Sequence, residues 1–357
     1  SPYHFISVAT IALFFICSVS CFVRVLAFGL EYDMTDLIDK HDVDLSRIEP
    51  SLVEAIRHKS GGKLYGIPYE NSTNVIFYNK DIFDLFGVDY PKDGMTWPEF
   101  ADLAMRTTGV VDGQPYIGHS PSRNDMILMN SFSIPLIDPE TEKSTYHDDR
   151  WRTILETELF QFARDPVYQE VMDKYRNGNL PDTNTFLRDR VLASMPGGPL
   201  VPIVLAENME GMNWDMAAFP VYEQLPGVGP QSYPNYMSIA NMSENKDAAM
   251  QVIKYLISDE YQTELSKMGN MTVLQNREIQ QMMGQESAHS DKNYGAFFYN
   301  QLAPIPESAD VPTEQDPLYA LTDQLIPVIK GEIDVNTALR RAEEAVNNGI
   351  ETAKKTQ

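Results

Sequence analysis

The stretch GGKLYGIPYENSTNVIFYNKDIF, residues 61–83, places a polar cluster between two apolar runs. The first run ends at Pro68, and the second, NVIFYN at 74–79, has the β-branched and aromatic residues typical of a strand. The cluster between them, YENSTN at 69–74, is poor core material because buried polar groups need hydrogen-bond partners. The stretch therefore predicts a loop at the end of a strand, with side chains that face something other than the protein interior.

Strand-like runs alternate with helical ones along the rest of the chain. TWPEFADLAMRTT (96–108) carries a capping box, with Thr96 as N-cap and Glu99 three residues later. KDAAMQVIKYLISDEYQTELSKMG (246–269) and NTALRRAEEAVNNGIETAKKTQ (336–357) read as amphipathic helices, the first with apolar residues three and four apart. Alternation of strands and helices predicts an α/β architecture.

Length and charge restrict the protein class. A chain of 357 residues suggests two domains. Lys and Arg number 28 against 51 Asp and Glu, which gives a net charge of −23. Such an acidic chain repels phosphate backbones, so nucleic acid is a poor partner, and the charge serves solubility.

Residues 3–30 form the one long apolar run, which contains Cys17 and Cys21, the only cysteines of the chain. This pair predicts neither a disulfide framework nor a metal site. The run is readable as a secretory segment, as a membrane anchor, or as buried strand and helix. Because it lacks polar punctuation for a strand–helix–strand unit, we expect residues 1–28 to be an atypical apolar segment that packs poorly within a domain.

The sequence offers no catalytic constellation. GHSPS at 118–122 begins like a nucleophile elbow, but Ser122 stands where the motif needs glycine, which argues against catalysis by Ser120. The histidines stand singly, and no ligand spacing supports a metal. We therefore expect no catalytic residue, no metal and no cofactor, and a protein that is not an enzyme.

Four segments carry a family resemblance. Residues 61–104 resemble the "GKLYGLP…YYNKDLF…TWDEF" segment of extracellular solute-binding proteins of carbohydrate ABC importers. MNWDMAAFPV (212–221) and residues 237–274 are similar to two further segments of that family, and GEIDVNTALRRAEEAVNNGI (331–350) to its closing helix. The resemblance covers about residues 30–357 and is greatest to the lipoprotein binders of Gram-positive bacteria.

The resemblance implies a two-lobed α/β fold of the periplasmic-binding-protein type (type II), with the ligand in an interlobe cleft and a hinge motion around it. We expect residues 29–112 and 232–272 in the N-terminal lobe, and residues 113–231 and 273–357 in the C-terminal lobe. Chain crossings are expected near 109–118, 222–236 and 268–275. The Pro- and Gly-rich loops at 194–202 and 225–235 are further candidates for crossings.

The resemblance also suggests which residues bind the ligand. In YENSTN, polar side chains at a strand end would hydrogen-bond a sugar; the alternative is that they cap the next element. Trp214 is expected to support a lobe core. The expected ligand-binding residues are Tyr69, Glu70, Ser72, Asn74, Met195, Gly197, Gly198, Tyr233, Tyr236 and Tyr319.

Two departures from the family pattern qualify this expectation. GLEYDMTDLI (29–38) matches a piece that normally follows a strand, a helix and a second strand, so the first lobe is expected to be incomplete, or residues 1–28 to come from a disrupted reading frame. GGPL at 197–200 stands where the family commonly has GGSW, so Leu200 replaces the tryptophan that stacks on a sugar.

Three functions follow as hypotheses. The first is a monomeric solute-binding component that captures a carbohydrate or similar small polar solute and delivers it to ABC permease subunits in the membrane. Such a protein would lie outside the cell, attached to the surface as a lipoprotein of a Gram-positive bacterium. The second is a secreted glycan-active enzyme, which needs two facing carboxylates. The third is a non-functional truncated fragment.

Overall fold

The computed structural model describes residues 14–18, 29–59 and 61–356. No helix in this part of the chain has both the length and the apolar character that a membrane crossing requires.

The strands of the described residues are short and lie in four small sheets. In chain order they are β1 (Phe14–Ser18), β2 (Ile67–Glu70), β3 (Val75–Asn79), β4 (Gly109–Val111), β5 (Gln114–Tyr116), β6 (Ser194–Gly197), β7 (Trp214–Ala217), β8 (Val228–Gln231), β9 (Asn235–Ile239) and β10 (Gln301–Ala303).

The helices connect these strands and supply most of the remaining structure. In chain order they are α1 (Thr35–Lys40), α2 (Pro50–Lys59), α3 (Lys80–Phe86), α4 (Trp97–Arg106), α5 (Arg123–Leu128), α6 (Asp149–Leu155), α7 (Gln161–Ala163), α8 (Pro166–Arg176), α9 (Thr183–Leu187), α10 (Val201–Val204), α11 (Ala206–Met209), α12 (Lys246–Leu256), α13 (Asp259–Lys267), α14 (Arg277–Gln281), α15 (Pro317–Ile329) and α16 (Val335–Thr356). A π-helical turn, Glu156–Phe160, joins α6 to α7.

Local signals in the sequence match several of these elements. The capping box of α4 is present, with Thr96 Oγ1 and the Glu99 carboxylate both engaged. The helix expected over 246–269 is instead two helices, α12 and α13. The break occurs because Ser258 is extended and its side chain accepts a hydrogen bond from the Tyr261 N–H, which caps the start of α13.

The chain divides into two compact units. Unit 1 comprises residues 1–72 and 232–290, and unit 2 comprises residues 73–231 and 291–357. The chain passes from one unit to the other after Ser72, Gln231 and Ser290, whereas crossings between the lobes are expected near 109–118, 222–236 and 268–275. Residues 109–116 form the β4–β5 hairpin inside unit 2, and Met271 bridges to Asn71 inside unit 1.

Strand pairing determines which unit two further segments belong to. Strand β3 pairs antiparallel with both β6 and β7, which places the second apolar run of the opening stretch in unit 2 rather than in the expected N-terminal lobe. The loop at 194–202, a candidate crossing from its Pro and Gly content, contains β6 and the start of α10, and is likewise part of unit 2.

The sheet of unit 1 has the order β1-β9-β2, with β9 antiparallel to both neighbours. In β1, Phe14 pairs with Ile239 and Ser18 with Asn235. Phe14–Ser18 thus form an edge strand of this sheet through their backbone, while the expectation that residues 1–28 pack poorly stays a prediction. The other residues of that segment, Cys21 among them, lie outside the described residues.

The core of unit 1 is built from apolar faces of helices packed on this sheet. Ile67 and Ile239 of the sheet are fully buried together with Leu52 of α2 and Ile253 of α12. These side chains recur at helical and strand periods in the sequence, so one face of each element is removed from water. Ionisable carboxylates, imidazoles and basic groups are absent from the buried residues of the described part of this unit.

Unit 2 surrounds the antiparallel sheet β6-β3-β7 with helices. All five residues of β3 are buried, as the apolar run VIFY at 75–78 predicts, and Asn79 at its end caps helix α3 through its side chain. Next to this sheet, Gly118 lies so close to helix α4 that a Cβ on it would be 1.6 Å from the Ala104 carbonyl oxygen. A glycine at this position is therefore a condition for the packing of α4.

An aromatic cluster fills the centre of unit 2 and encloses an imidazole. The His119 ring packs edge-on against Trp97, Phe100 and Phe162 at centroid distances of 5.1–5.9 Å. Its Nδ1 lies 3.2 Å from Ser194 Oγ. Burial lowers the pKa of His119 to about 3, so the ring is neutral in the folded protein.

Candidate functional site

The polar cluster of the opening stretch meets a second strand end within unit 1. The Tyr233 N–H donates to the Ser72 carbonyl oxygen at 2.7 Å. Asn235 lies opposite Glu70, and its Nδ2 donates to Glu70 Oε2 at 3.2 Å. One end of the β2–β9 pair thus brings together three expected ligand-binding residues from distant segments: Glu70, Ser72 and Tyr233.

Two tyrosines lie within the electrostatic influence of Glu70, and we call Tyr69, Glu70 and Tyr261 the carboxylate–phenol cluster. Burial first, and then the charges of Glu70 and Tyr261, raise the pKa of Tyr69 to about 12. The pKa of Tyr261 is raised by burial and by the Glu70 carboxylate. Both phenols therefore keep their protons near neutral pH and offer hydrogen-bond donors beside a carboxylate acceptor.

A buried glutamine fixes this cluster. Gln262, which follows Tyr261 in α13, is fully buried. Its Nε2 donates to the Tyr69 carbonyl oxygen at 2.7 Å, and its Oε1 accepts from Thr272 Oγ1 at 2.6 Å and from the Val273 N–H at 3.0 Å. Helix α13 is thereby tied to β2, so Tyr261 stands beside Glu70 on rigid elements rather than on a loop.

Three expected ligand contacts of unit 1 differ in how exposed their side chains are. Ser72 and Tyr233 are partly exposed. Tyr236, in contrast, is fully buried in the core, where its hydroxyl donates to the Leu52 carbonyl oxygen at 2.8 Å. The assignment of Tyr236 to the ligand site is corrected accordingly: along β9 its side chain points to the core, and it supports packing.

Unit 2 contains a groove of about 720 Å³. The loop before α5 lines one side, the end of α8 and the loop that follows it line the other, and Met195 and Pro196 of β6 lie between them. We call this feature the unit 2 groove. Its lining residues are Ser120, Pro121, Ser122, Arg123, Asn124, Lys174, Tyr175, Arg176, Asn177, Asn179, Leu180, Pro181, Asp182, Thr183, Met195 and Pro196.

Turn chemistry and an ion-paired arginine build the wall after α8. The helix ends at Asn177 in the left-handed conformation (φ 52°), followed by Gly178 at φ 78°, which reverses the chain. Arg176 then holds the returning loop: its guanidinium donates to Thr185 Oγ1 at 2.7 Å and pairs with Asp182 at 2.8 Å and Asp189 at 3.2 Å. These contacts fix the returning loop to the end of α8.

A small pocket of about 10 Å³, room for about one water molecule, adjoins the groove. Asn74 lines it, is buried, and donates through Nδ2 to Asp125 Oδ2 at 3.2 Å. Glu158 of the π-helical turn also lines it and accepts a 2.6 Å hydrogen bond from the Tyr222 hydroxyl. Burial raises the pKa of Glu158 to about 8 and also raises that of Asp125. The side-chain amide of Asn74 therefore donates its hydrogen bond to a residue of unit 2.

The other residues expected in unit 2 divide between the groove and the core. Met195 lines the groove but is almost fully buried. Gly197 is buried in β6, where a Cβ would lie 2.9 Å from the Phe77 ring, so its role is close packing. The Gly198 carbonyl oxygen accepts from the Val201 N–H. Tyr319, at the start of α15, is half exposed and is not among the groove residues.

Several candidate residues lay outside the sequence-based selection. Tyr261 occurs in an ordinary helical pattern and gains its position from α13 packing on β2. The groove segment RNGNLPDT, 176–183, contains the Gly, Pro and Asn residues typical of an exposed loop. This composition could have indicated a candidate binding segment from the sequence. Ser120, considered as a nucleophile, is buried, and its hydroxyl donates to the Pro181 carbonyl oxygen at 2.9 Å.

Short segments of this chain are similar to periplasmic binding proteins of other bacteria. Over 86 residues, 24% of this chain, the sequence is 31% identical to the sn-glycerol-3-phosphate-binding periplasmic protein UgpB of Brucella abortus. A match over 59 residues to UgpB of Agrobacterium fabrum is 36% identical and covers 16% of this chain and 14% of that protein. The aligned part spans about a fifth, 20%, of the Brucella relative.

Solved structures share the fold over most of the chain. The substrate-binding protein Lmo0181 of Listeria monocytogenes, in complex with cycloalternan, aligns with a TM-score of 0.70 and 20% identity, and the alignment covers 94% of this chain and 84% of that one. The sugar-binding protein MalE of Xanthomonas citri aligns with a TM-score of 0.71 and 15% identity over 96% and 85%. The α/β fold is thus that of two-lobed periplasmic sugar-binding proteins.

A family model described as bacterial extracellular solute-binding protein matches residues 23–263, about two thirds of the chain. Together with the shared fold, this match confirms the family that the sequence segments had indicated. The chain belongs to the bacterial extracellular solute-binding protein family.

Proposed function

We propose that this protein is the monomeric solute-binding component of an ABC importer, which captures a carbohydrate or similar small polar solute and delivers it to permease subunits in the membrane. The observation that carries the proposal is the carboxylate–phenol cluster of unit 1. A carboxylate accepts sugar hydroxyls in fixed directions, and phenol rings offer an apolar face with a polar edge. The names of the family and of its solved structural neighbours support the same class of ligand.

Glu70 makes the central contribution in this proposal. Its Oε2 accepts a hydrogen bond from Asn235, and its charge acts on Tyr69 and Tyr261 within unit 1. The other carboxylate oxygen has lone pairs left for ligand hydroxyls, since only the Asn235 contact engages the side chain among the described residues. Ser72 and Tyr233, at the same strand ends, are proposed as further contacts.

Glu70→Ala tests the proposal. We expect the variant to bind its carbohydrate more than about tenfold more weakly, equal to about 1.4 kcal/mol, in calorimetric titrations against a panel of mono- and oligosaccharides. Glu54→Ala is the matched control, because Glu54 is an exposed carboxylate of unit 1 that pairs with Arg57 on helix α2. Equal affinity of the Glu70 variant and the parent protein would remove Glu70 from the site.

The alternative of a glycan-active enzyme is tested by the same panel. In the carboxylate–phenol cluster Glu70 is the one carboxylate, whereas glycoside hydrolysis needs two. Among residues 29–58 and 61–356, no three His, Cys, Asp or Glu side chains converge as a metal site would require. We propose binding without turnover, so that incubation with oligosaccharides leaves them intact; released sugar would overturn this.

The finer parts of the location and of the binding mode are also proposals. The family is extracellular, and we propose attachment to the surface of a Gram-positive bacterium as a lipoprotein, which lipid labelling in cells would test. The interlobe cleft and its hinge motion stay predictions of the family resemblance. Compaction of the protein by its ligand in small-angle scattering is the measurement that checks them.

A further inference from the structure

The unit 2 groove is positively charged, although the chain as a whole carries a net charge of −23. Its lining contains three basic side chains, Arg123, Lys174 and Arg176, and a single carboxylate, Asp182. The lining of the groove therefore has an excess of positive charge, whereas the protein as a whole is negatively charged.

The three basic side chains are used differently. Arg176 is neutralised by Asp182 and Asp189. Arg123 is exposed and has no ion pair or side-chain hydrogen bond to any residue that the structure describes. Lys174 lies over the ring of Tyr175 at 5.3 Å and likewise has no carboxylate partner among those residues. Arg123 and Lys174 therefore keep their charges available to a ligand.

The same groove offers no free aromatic platform. Tyr175 is its one aromatic lining residue, and its hydroxyl accepts a hydrogen bond from Gln114 Nε2 at 2.6 Å. Asn124, in contrast, lines the groove with a buried Oδ1 that has no hydrogen-bond partner. The Asn124 oxygen is an acceptor and suits a hydroxyl group of a ligand, whereas the free cations suit an anionic group. Without a stacking surface, the groove is less suited to the face of a sugar ring.

We propose that the unit 2 groove binds an anionic group, a phosphate or a carboxylate, carried by a small polyol or sugar, with Arg123 as the charged contact that determines this preference. The inference rests on the proposed solute-binding function and names the class of solute. A guanidinium matches both oxyanions through two parallel N–H···O bonds, whereas Lys174 adds a point charge. Arg176, held by Thr185 and two aspartates, positions the wall rather than the ligand.

The test compares matched pairs of ligands that differ in charge. Glycerol 3-phosphate against glycerol probes the phosphate, glucuronate against glucose probes the carboxylate, and inorganic phosphate probes the anion alone. Calorimetric titrations of the full chain at low ionic strength should show the anionic member of at least one pair binding more than about tenfold tighter than the neutral one. The pair that shows the preference identifies the anion.

Variants assign the preference to the groove. Arg123→Ala should reduce the anionic preference to about twofold or less while the neutral ligand binds as before, and Arg123→Lys should retain part of it. Arg106→Ala, which removes an exposed arginine of unit 2 outside the groove, should leave the preference intact. Because Arg123 is exposed, thermal unfolding of the variant should match that of the parent.

The outcomes separate this inference from the function on which it rests. Tight binding of neutral sugars without preference for anions would overturn the anion site alone, and so would a preference that survives in Arg123→Ala. Absence of binding by every ligand in the panel would overturn both proposals. Loss of the preference in Arg123→Ala together with weakened binding in Glu70→Ala would support both.

Discussion

The two units differ most in where they hold their ionisable groups. In the described part of unit 1 the buried polar side chains are neutral ones such as Gln262 and Ser266, and the carboxylate of the candidate site, Glu70, is only partly buried. Unit 2 buries His119 and Glu158 in its interior, and its groove presents the free cations Arg123 and Lys174. The candidate site of unit 1 thus offers a carboxylate acceptor and phenols to a ligand, whereas the unit 2 groove offers positive charge.

The units also differ in how closely their backbones pack. In unit 2 a Cβ on Gly118 would lie 1.6 Å from a carbonyl oxygen of α4, which cannot move without the helix. In unit 1 a Cβ on Gly66 would lie 3.1 Å from Ser238 Oγ and from Tyr236 Cβ, which are side-chain atoms. Unit 2 is therefore expected to be the less tolerant of added volume near its sheet.

The largest expected effect is that of Gly118→Ala. The methyl group displaces α4 from the sheet, so we expect the free energy of unfolding to fall by about 4 kcal/mol or more. Gly66→Ala is the comparison variant, with an expected loss of about 1–3 kcal/mol because contacts at 3.1 Å need only a small displacement. Denaturant unfolding of both variants measures the difference. A smaller loss for Gly118→Ala than for Gly66→Ala would contradict the comparison of packing.

The second prediction concerns pH and unit 2. Glu158 has a pKa of about 8 when folded, raised by burial from its usual 4.5. Between these values the folded protein binds more protons than the unfolded chain, so this group makes stability fall as pH rises from 4.5 to 8. The slope is about 1.4 kcal/mol per pH unit within that window.

Glu158→Gln should flatten this slope, because an amide keeps the hydrogen bond to Tyr222 and does not ionise. Thermal unfolding at pH 5, 6.5 and 8 measures it, with the variant gaining relative to the parent as pH rises. His119 acts in the opposite sense: its pKa is lowered to about 3, so its contribution to stability is lost as pH falls below its usual 6.5. An unchanged slope above pH 6.5 in the variant would show that Glu158 is ionised or solvated in the folded protein.

The smallest expected effects distinguish a core phenol from a ligand-facing one in unit 1. Tyr236→Phe leaves the Leu52 carbonyl oxygen without its buried partner and should cost about 1–2 kcal/mol of stability, without changing ligand affinity. Tyr261→Phe should do the reverse, with weaker ligand binding and unchanged unfolding. The two variants differ from the parent by one hydroxyl each, so unfolding and titration of both decide which tyrosine belongs to the site.

Local patterns predicted more of this molecule than long-range ones. The capping box at Thr96, the buried run of β3 and the terminal helix α16 depend on neighbours within a few residues, and the sequence was sufficient for them. The boundaries of the two units could not be predicted in this way. They depend on the pairing of β3 with β6 and β7, which lie more than 100 residues away in the sequence. Pairing at that distance leaves no mark on local composition.

The site shows the same division. Glu70, Asn74 and Tyr233 were all expected in the ligand site; Glu70 and Tyr233 lie near one end of the β2–β9 pair in unit 1, whereas Asn74 belongs to unit 2, and their binding role stays a prediction. Tyr236 was assigned to the wrong face, since YPNY at 233–236 does not show which tyrosine faces the core. Tyr261 was missed because its position is set by Gln262, a buried polar residue whose partners come from three separate segments.

The central strand of the unit 1 sheet has a consequence for biosynthesis. Strand β9 lies between β1 and β2, yet it begins at Asn235, 165 residues after the end of β2 at Glu70. At a translation rate of about 5–20 residues per second, the ribosome needs roughly 8–33 s to cover that distance. During this time β1 and β2 are emergent strands without their shared partner, and such edges are where aggregation begins. The first segment therefore exposes unpaired strand edges during synthesis until the return strand is made.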